Sequence, residues 1–182
     1  MPESLLPESF LSGTPSYGPD VFMGAGARIL GDVRLAAGVS IWYNCVLRAD
    51  LNVISIGENT NIQDGAIVHV ETDRPCAIAD HVTVGHGAIV HACTVESGCL
   101  IGMGAIILSG AFIGRGSVIA AGSLVRENAR IEPFSLMAGV PARLVRKLPE
   151  ETLARHLAVA VKYAEAGRRH RQLALRPDPS AI

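Results

Sequence analysis

Aromatic side chains are scarce in this chain. They make up only 4% of its residues, although 49% are hydrophobic and 19 are glycine. That balance is unusual for a conventional packed sheet and directs attention first to internal repeats. An excess of charge is also lacking. Sixteen Lys and Arg stand against 17 Asp and Glu, a formal net charge of -1. This removes the electrostatic case for nucleic acid or an anionic membrane as a partner. A small molecule or a second copy of the chain is the expected partner instead. No C-x-x-C pair occurs among Cys45, Cys76, Cys93 and Cys99, so buried thiols in a reducing compartment are expected. Neither an 18-residue apolar run free of charge and glycine nor a signal-like start in Met1–Pro7 is present. The sequence therefore reads as cytoplasmic, with no membrane segment.

What the chain does have is a period of six. Aliphatic residues recur at Ile29, Leu35, Ile41 and Leu47, then at Ile56, Ile62 and Val68. The series continues through Ile78, Val84 and Val90, and from Ile101 to Val125. No helix has that period. Four residues after most of these positions stands a small residue, among them Cys45, Ala66, Ala88, Thr94, Ala105 and Ser117. Two inward positions in six, with glycine at or beside the turn, describe a short strand and a corner. Three such hexads make one coil of a parallel β-helix. No coil buries its inner face alone, so stacking at about 4.8 Å supplies both the backbone pairing and the core. The expected fold is all-β, a left-handed parallel β-helix of hexapeptide repeats with a C-terminal α-helix.

The boundaries follow from where the pattern starts and fades. Residues 1–20, rich in proline, read as an N-terminal strap, and 21–140 as the β-helix. Residues 141–172 read as a helical segment packing on it, and 173–182 as a frayed tail. Leu153, Leu157, Val161 and Ala164 form its apolar stripe, and Pro149-Glu150-Glu151 its start. Arg168 to Arg171, His170 included, read as a solvated helix end. Three slips interrupt the six-residue phase: three extra residues at Asp50–Val53, four at Glu71–Pro75, and a one-residue contraction between Val90 and Ile101. Two of them bracket a set of histidines, as functional loops would.

With hexads numbered from their aliphatic residue, His69 and His91 are both second in theirs and three hexads apart. They therefore stack on one face in successive coils, with Arg48 one coil earlier in the same column. His86 is third in its hexad and belongs to a neighbouring face, with Asp64 one coil below it. Two outward imidazoles on adjacent strands suit a shared ion, but a third ligand does not come easily from the same chain. Packing around a threefold axis would present His86 of one copy to His69 and His91 of the next. This predicts a homotrimer with three intersubunit metal sites. The competing reading, outward histidines as polar surface, applies to His81, His156 and His170, which lack any such relation.

The segments Leu47-Arg48-Ala49-Asp50, Asn61-Ile62-Gln63-Asp64-Gly65, Val84-Gly85-His86 and Val90-His91-Ala92-Cys93 resemble those of the γ-class carbonic anhydrase family of hexapeptide-repeat proteins. The similarity covers roughly residues 15–165. It implies a left-handed β-helix, a trimer, and Zn2+, Fe2+ or Co2+ held by His69 and His91 of one chain and His86 of its neighbour. It further implies that Gln63 hydrogen-bonds the metal-bound solvent with Asn61 nearby. By the same likeness, Arg48, Asp50 and Asp64 form charge pairs across the subunit interface, and Tyr163 reaches the site from the helix or serves as packing.

Three neutral imidazoles leave the ion its full charge and lower the pKa of a bound water toward about 7. The hydroxide so formed would attack carbon dioxide to give bicarbonate. Cys93 is not expected among the ligands, because its hexad position points it away from the His91 column. The chain departs from the family pattern where prototype members carry a glutamate-bearing acidic loop: Leu51 follows the Arg-x-Asp motif and the excursion is short. Slow turnover is the consequence expected, with Glu71 and Asp73 in the second loop as substitute proton carriers. Other functions open to the same scaffold are a metal-dependent acyl-CoA thioesterase, a non-catalytic metal-binding trimer, and a CoA-dependent acyltransferase using one histidine as base.

Overall fold

The computed structural model describes residues 13–174. The first twelve residues of the expected strap and residues 175–182 of the expected tail lie outside this range. Most strands are two or three residues long and pair in parallel with the strand one coil above and below. The result is a left-handed solenoid of about seven turns with one C-terminal helix. Its coil-to-coil crossings are left-handed, an exception to the right-handed preference of parallel crossover connections.

The inward aliphatic residues of successive coils lie directly over one another. Val68, Val90, Ile107 and Val125 pair in register on one face, and Ile41, Ile62, Val84, Ile101 and Ile119 on another. All are buried. Each rung adds the same narrow layer, so branched aliphatics fill it and large aromatics have no place inside. The sulfur atoms share this interior. All four cysteines are free and buried, and burial pushes Cys45 up to about 11 and Cys99 up to about 12.

The phase slips take definite forms. Strand Val46–Ile56 stays extended through Asp50–Val53, and its pairing with Arg28–Leu35 shifts between Gly31 and Val33 to absorb the extra residues. Residues 71–75 form a small loop closed by mutual backbone bonds between Glu71 and Arg74. The contraction falls at Ala92, whose φ of 44° is in the left-handed region. It moves the inward position from Thr94 to Cys93. Cys93 is therefore buried and Thr94 exposed, the reverse of the six-residue count for Thr94.

The ends also differ from the sequence pattern. Ser16–Tyr17, within the expected strap, already pairs with Arg34 and Leu35. After Ser135–Gly139 the chain turns back as an antiparallel strand, Ala142–Lys147, where the start of the helical segment was expected. That strand covers the last edge of the coil stack, which would otherwise offer unpaired backbone groups. The helix runs Thr152–Ala174, so the Pro149-Glu150-Glu151 signal precedes it. It rests on the face of Phe22–Met23, Ser40–Ile41 and Asn61–Ile62. Ala160, Ala164 and Gly167 are buried there, whereas Val161 is 47% exposed, so the stripe turns through Ala160. A Cβ on Gly167 would stand 2.9 Å from Phe22 Cβ, which is why the helix approaches on its smallest residues. His170 is not a surface group: it sits among Phe22, Trp42 and Tyr43, with its Nδ1 2.9 Å from the Tyr43 hydroxyl. Among the described residues no helix is long and apolar enough to cross a membrane.

Candidate metal centre

Backbone register builds one half of the site. Arg48 is paired with His69 and His69 with His91, so the three form one outward column on adjacent rungs. The imidazoles of His69 and His91 lie with ring centroids 5.0 Å apart, and His69 Nδ1 stands 3.0 Å from His91 Nε2. Their far nitrogens are already engaged. His69 Nε2 donates to Asp50 Oδ1 at 3.1 Å, and His91 Nδ1 lies 2.9 Å from Ser109 Oγ. Asp50 is buried and also accepts from Arg48. Burial pushes the Asp50 carboxyl up, but the hydrogen bonds from Arg48 and His69 outweigh it and hold the group below its ordinary value. Burial holds the His69 imidazole below its ordinary value against the pull of Asp50, and the Arg48 charge adds to the lowering. A neutral ring with a carboxylate on its outer nitrogen is the form in which histidine binds a metal.

The other half lies around a corner. His86 occupies a turn, its side chain 47% exposed, with Nδ1 2.8 Å from Asp64 Oδ2. The carbonyl of Asp64 accepts from Gly87 N at 2.9 Å, which fixes the two turns one above the other. Asn61 and Gln63, both buried, lie on the adjoining rung. Gln63 Nε2 donates to Asn61 Oδ1 at 3.1 Å, and Asn61 Nδ2 donates to Thr83 Oγ1 at 2.9 Å. Among the described residues no donor meets Gln63 Oε1, and the bond to Asn61 holds the amide in place. Gln63, His86 and Tyr163 line one hollow of about 460 Å³, walled by Leu100, Met103 and Val159. Tyr163 also stands edge-on to Trp42 at 5.6 Å, so it both packs the helix and borders the hollow.

The nine residues singled out in the sequence thus fall into two groups. Arg48, Asp50, His69 and His91 converge at one corner; Asn61, Gln63, Asp64, His86 and Tyr163 converge at another. Arg48 and Asp50 pair with each other within the chain. Among the described residues no three His, Cys, Asp or Glu side chains gather to hold a metal within one chain. The geometry of the first group nonetheless fits a shared cation. Because His69 Nε2 donates to a carboxylate, His69 Nδ1 turns a lone pair toward His91 Nε2. A proton or a cation held between the two nitrogens suits that arrangement. Two nitrogens bound to one zinc at tetrahedral angle stand about 3.3 Å apart, close to the separation found. Glu71 and Ser109 belong to this corner as well. Ser109 sits at the turn above Ala92 and was not singled out, because it is third in its hexad and so lies one position beyond the histidine column.

No family model matches the chain. It is 48% identical over 146 residues to a probable carbonic anhydrase of Methanocaldococcus jannaschii, covering 80% of this chain and 92% of that one. It is 41% identical over 162 residues to a mitochondrial γ carbonic anhydrase of Arabidopsis thaliana, covering 86% of this chain. This chain spans 59% of the length of that plant relative. Among solved structures, a hexapeptide transferase family protein from Anaplasma phagocytophilum superposes with a TM-score of 0.81 at 38% identity. That match covers 86% of this chain and 92% of the other.

Proposed function

The chain belongs to the γ-class carbonic anhydrase family of hexapeptide-repeat proteins, and from that premise we propose that it is a metal-dependent enzyme hydrating carbon dioxide reversibly to bicarbonate at the interfaces of a homotrimer. The observation that carries this reading is the pair of ring nitrogens, His69 Nδ1 and His91 Nε2, facing each other at 3.0 Å in one outward column, with the Asp50 carboxylate on the far nitrogen of His69. His86 of the neighbouring copy completes the set. Zinc, or iron(II) or cobalt(II) on the same imidazoles, supplies there the positive charge that lowers the pKa of a water toward about 7.

The surface supports the assembly. Ile67, Ile89, Ile106 and Leu124 form an outward apolar column beside His69 and His91, with Ile67 41% exposed. The hollow beside His86 is apolar too, and Met103 at its edge is 59% exposed. Seating the column of one copy in the hollow of the next removes both patches from water and carries His86 toward the paired histidines.

Within the site each residue has a definite task. Asp50, itself held by Arg48, fixes the His69 ring, and Asp64 fixes His86. Asn61 holds Gln63 so that its free Oε1 orients the attacking water, and Tyr163 borders the approach to it. Leu51 stands where prototype members carry a glutamate, so proton export is slow and turnover modest. The location we assign is the cytoplasm.

A second reading rests on His86 and Asp64 alone. A histidine 2.8 Å from a carboxylate is also the arrangement of a general base, and a CoA-dependent acyltransferase would need no more. Metal content separates the two. Protein purified without oxygen is expected to carry about one metal per chain and to hydrate carbon dioxide in stopped flow. His86→Ala is expected to lose the metal while keeping the melting temperature of the metal-free protein. A metal-free trimer with no hydration activity refutes the first reading. Metal without hydration moves the assignment to a thioesterase or a structural trimer.

A further inference from the structure

The second loop, Glu71–Pro75, whose acids were expected as proton carriers, and Ser109 meet at the metal corner. Ser109 Oγ donates to Glu71 Oε1 at 2.6 Å, across 38 residues of sequence, and lies 2.9 Å from His91 Nδ1. Ser109 is 5% exposed. Glu71 Oε2 faces Arg74 Nε at 3.9 Å, and Glu71 and Arg74 exchange backbone hydrogen bonds. Arg74 Nη1 donates in turn to Asn128 Oδ1 at 3.3 Å, which ties the loop to a coil further along the stack.

The proton inventory admits one direction. A carboxylate only accepts, and a distance of about 2.6 Å is typical of a hydroxyl donating to one. The single hydroxyl hydrogen of Ser109 is thereby committed to Glu71. Ser109 Oγ then offers His91 only lone pairs, so His91 Nδ1 must carry the ring proton. A neutral imidazole in water prefers its proton on Nε2. That form would turn an N–H toward His69 and leave no lone pair for an ion.

We propose that Glu71 and Ser109 form a positioning relay that fixes His91 as its Nδ1–H tautomer, turning the Nε2 lone pair toward His69 and the metal. The relay does not carry protons out of the site, because its first link is a ligand ring whose proton stays in place. The four-residue insertion at Glu71–Pro75 acquires a purpose: it brings a carboxylate over the corner where Ser109 meets His91. At the mirror position Asp50, two residues along the strand from Arg48, reaches His69 directly.

The inference rests on the proposed metal site, and its test keeps the two apart. In chelator-stripped protein labelled with 15N-histidine, long-range 1H–15N spectra report which ring nitrogen of His91 is protonated. Zinc affinity is measured by competition with a chromophoric chelator. The wild-type protein is expected to show the Nδ1–H pattern. Ser109→Ala is expected to shift His91 toward the Nε2–H pattern and to weaken zinc about tenfold to a hundredfold, the range found when such outer partners are removed. Glu71→Ala, on a surface loop where folding is not at risk, frees the serine hydrogen and is expected to act in the same direction by about threefold to tenfold. An Nε2–H ring in the wild type overturns the proposal. So does a wild-type tautomer in both variants, or zinc affinity in both within twofold of wild type. If the wild type takes up no zinc, the metal reading fails, and the ring signals still decide the relay.

Discussion

Gln63 is the residue whose role is most separable from the metal. Its amide is buried and held by Asn61, and it borders the hollow beside His86 with one oxygen unspent. A group that orients water without binding the ion leaves metal content alone when removed. Gln63→Ala is therefore expected to keep full zinc content while hydration falls about tenfold to a hundredfold, the usual cost of losing an outer partner. Metal analysis and stopped-flow rates on the same preparation check it. The histidines themselves were legible in the sequence, because hexad counting needs only the spacing of Val68, Val90 and Arg48 to put His69 and His91 in one column. Ser109 was not legible. Its contact with His91 runs diagonally, from the third position of one hexad to the second of the hexad below, and its partner Glu71 stands in a loop outside the repeat.

At the scale of the element, the constraint that shapes the solenoid is how closely one rung lies on the next. A Cβ on Gly102 would stand 2.4 Å from Ala121 N and 2.7 Å from Ala120 C, atoms of the coil above that have nowhere to go. Gly85, one coil below, meets the backbone of Met103 in the same way. Both glycines wall the hollow beside His86. Gly102→Ala is expected to cost about 1 to 3 kcal/mol in denaturant unfolding, the range for forcing an extra carbon into a packed layer. The repeat was readable because each inward aliphatic answers to one layer of fixed width. What went astray were elements that answer to something else. Thr94 faces out because the contraction falls before it. The helix turns its stripe through Ala160 and Gly167, since it must lie against Phe22, and so leaves Val161 in water. His170 goes inside because three aromatics, rare in this chain, gather under the helix end to receive it.

For the whole molecule, the two corners matter more than any residue within them. Each is internally complete: its rings are held, its carboxylates are placed and its buried polar side chains are all satisfied among the described residues. Neither gathers a third ligand. The sequence spacing already implied this division, and the fold gives it dimensions. The central claim is that the metal binds between copies, and mixing two disabled chains tests it most directly. His86→Ala retains His69 and His91, and the double variant His69→Ala, His91→Ala retains His86. Alone, each should hold no zinc. In a trimer containing both, one interface pairs the intact halves. Random co-assembly of equal amounts should thus recover about a quarter of the wild-type zinc, with hydration in proportion. Mixed trimers that recover no zinc beyond that of either parent would contradict the account.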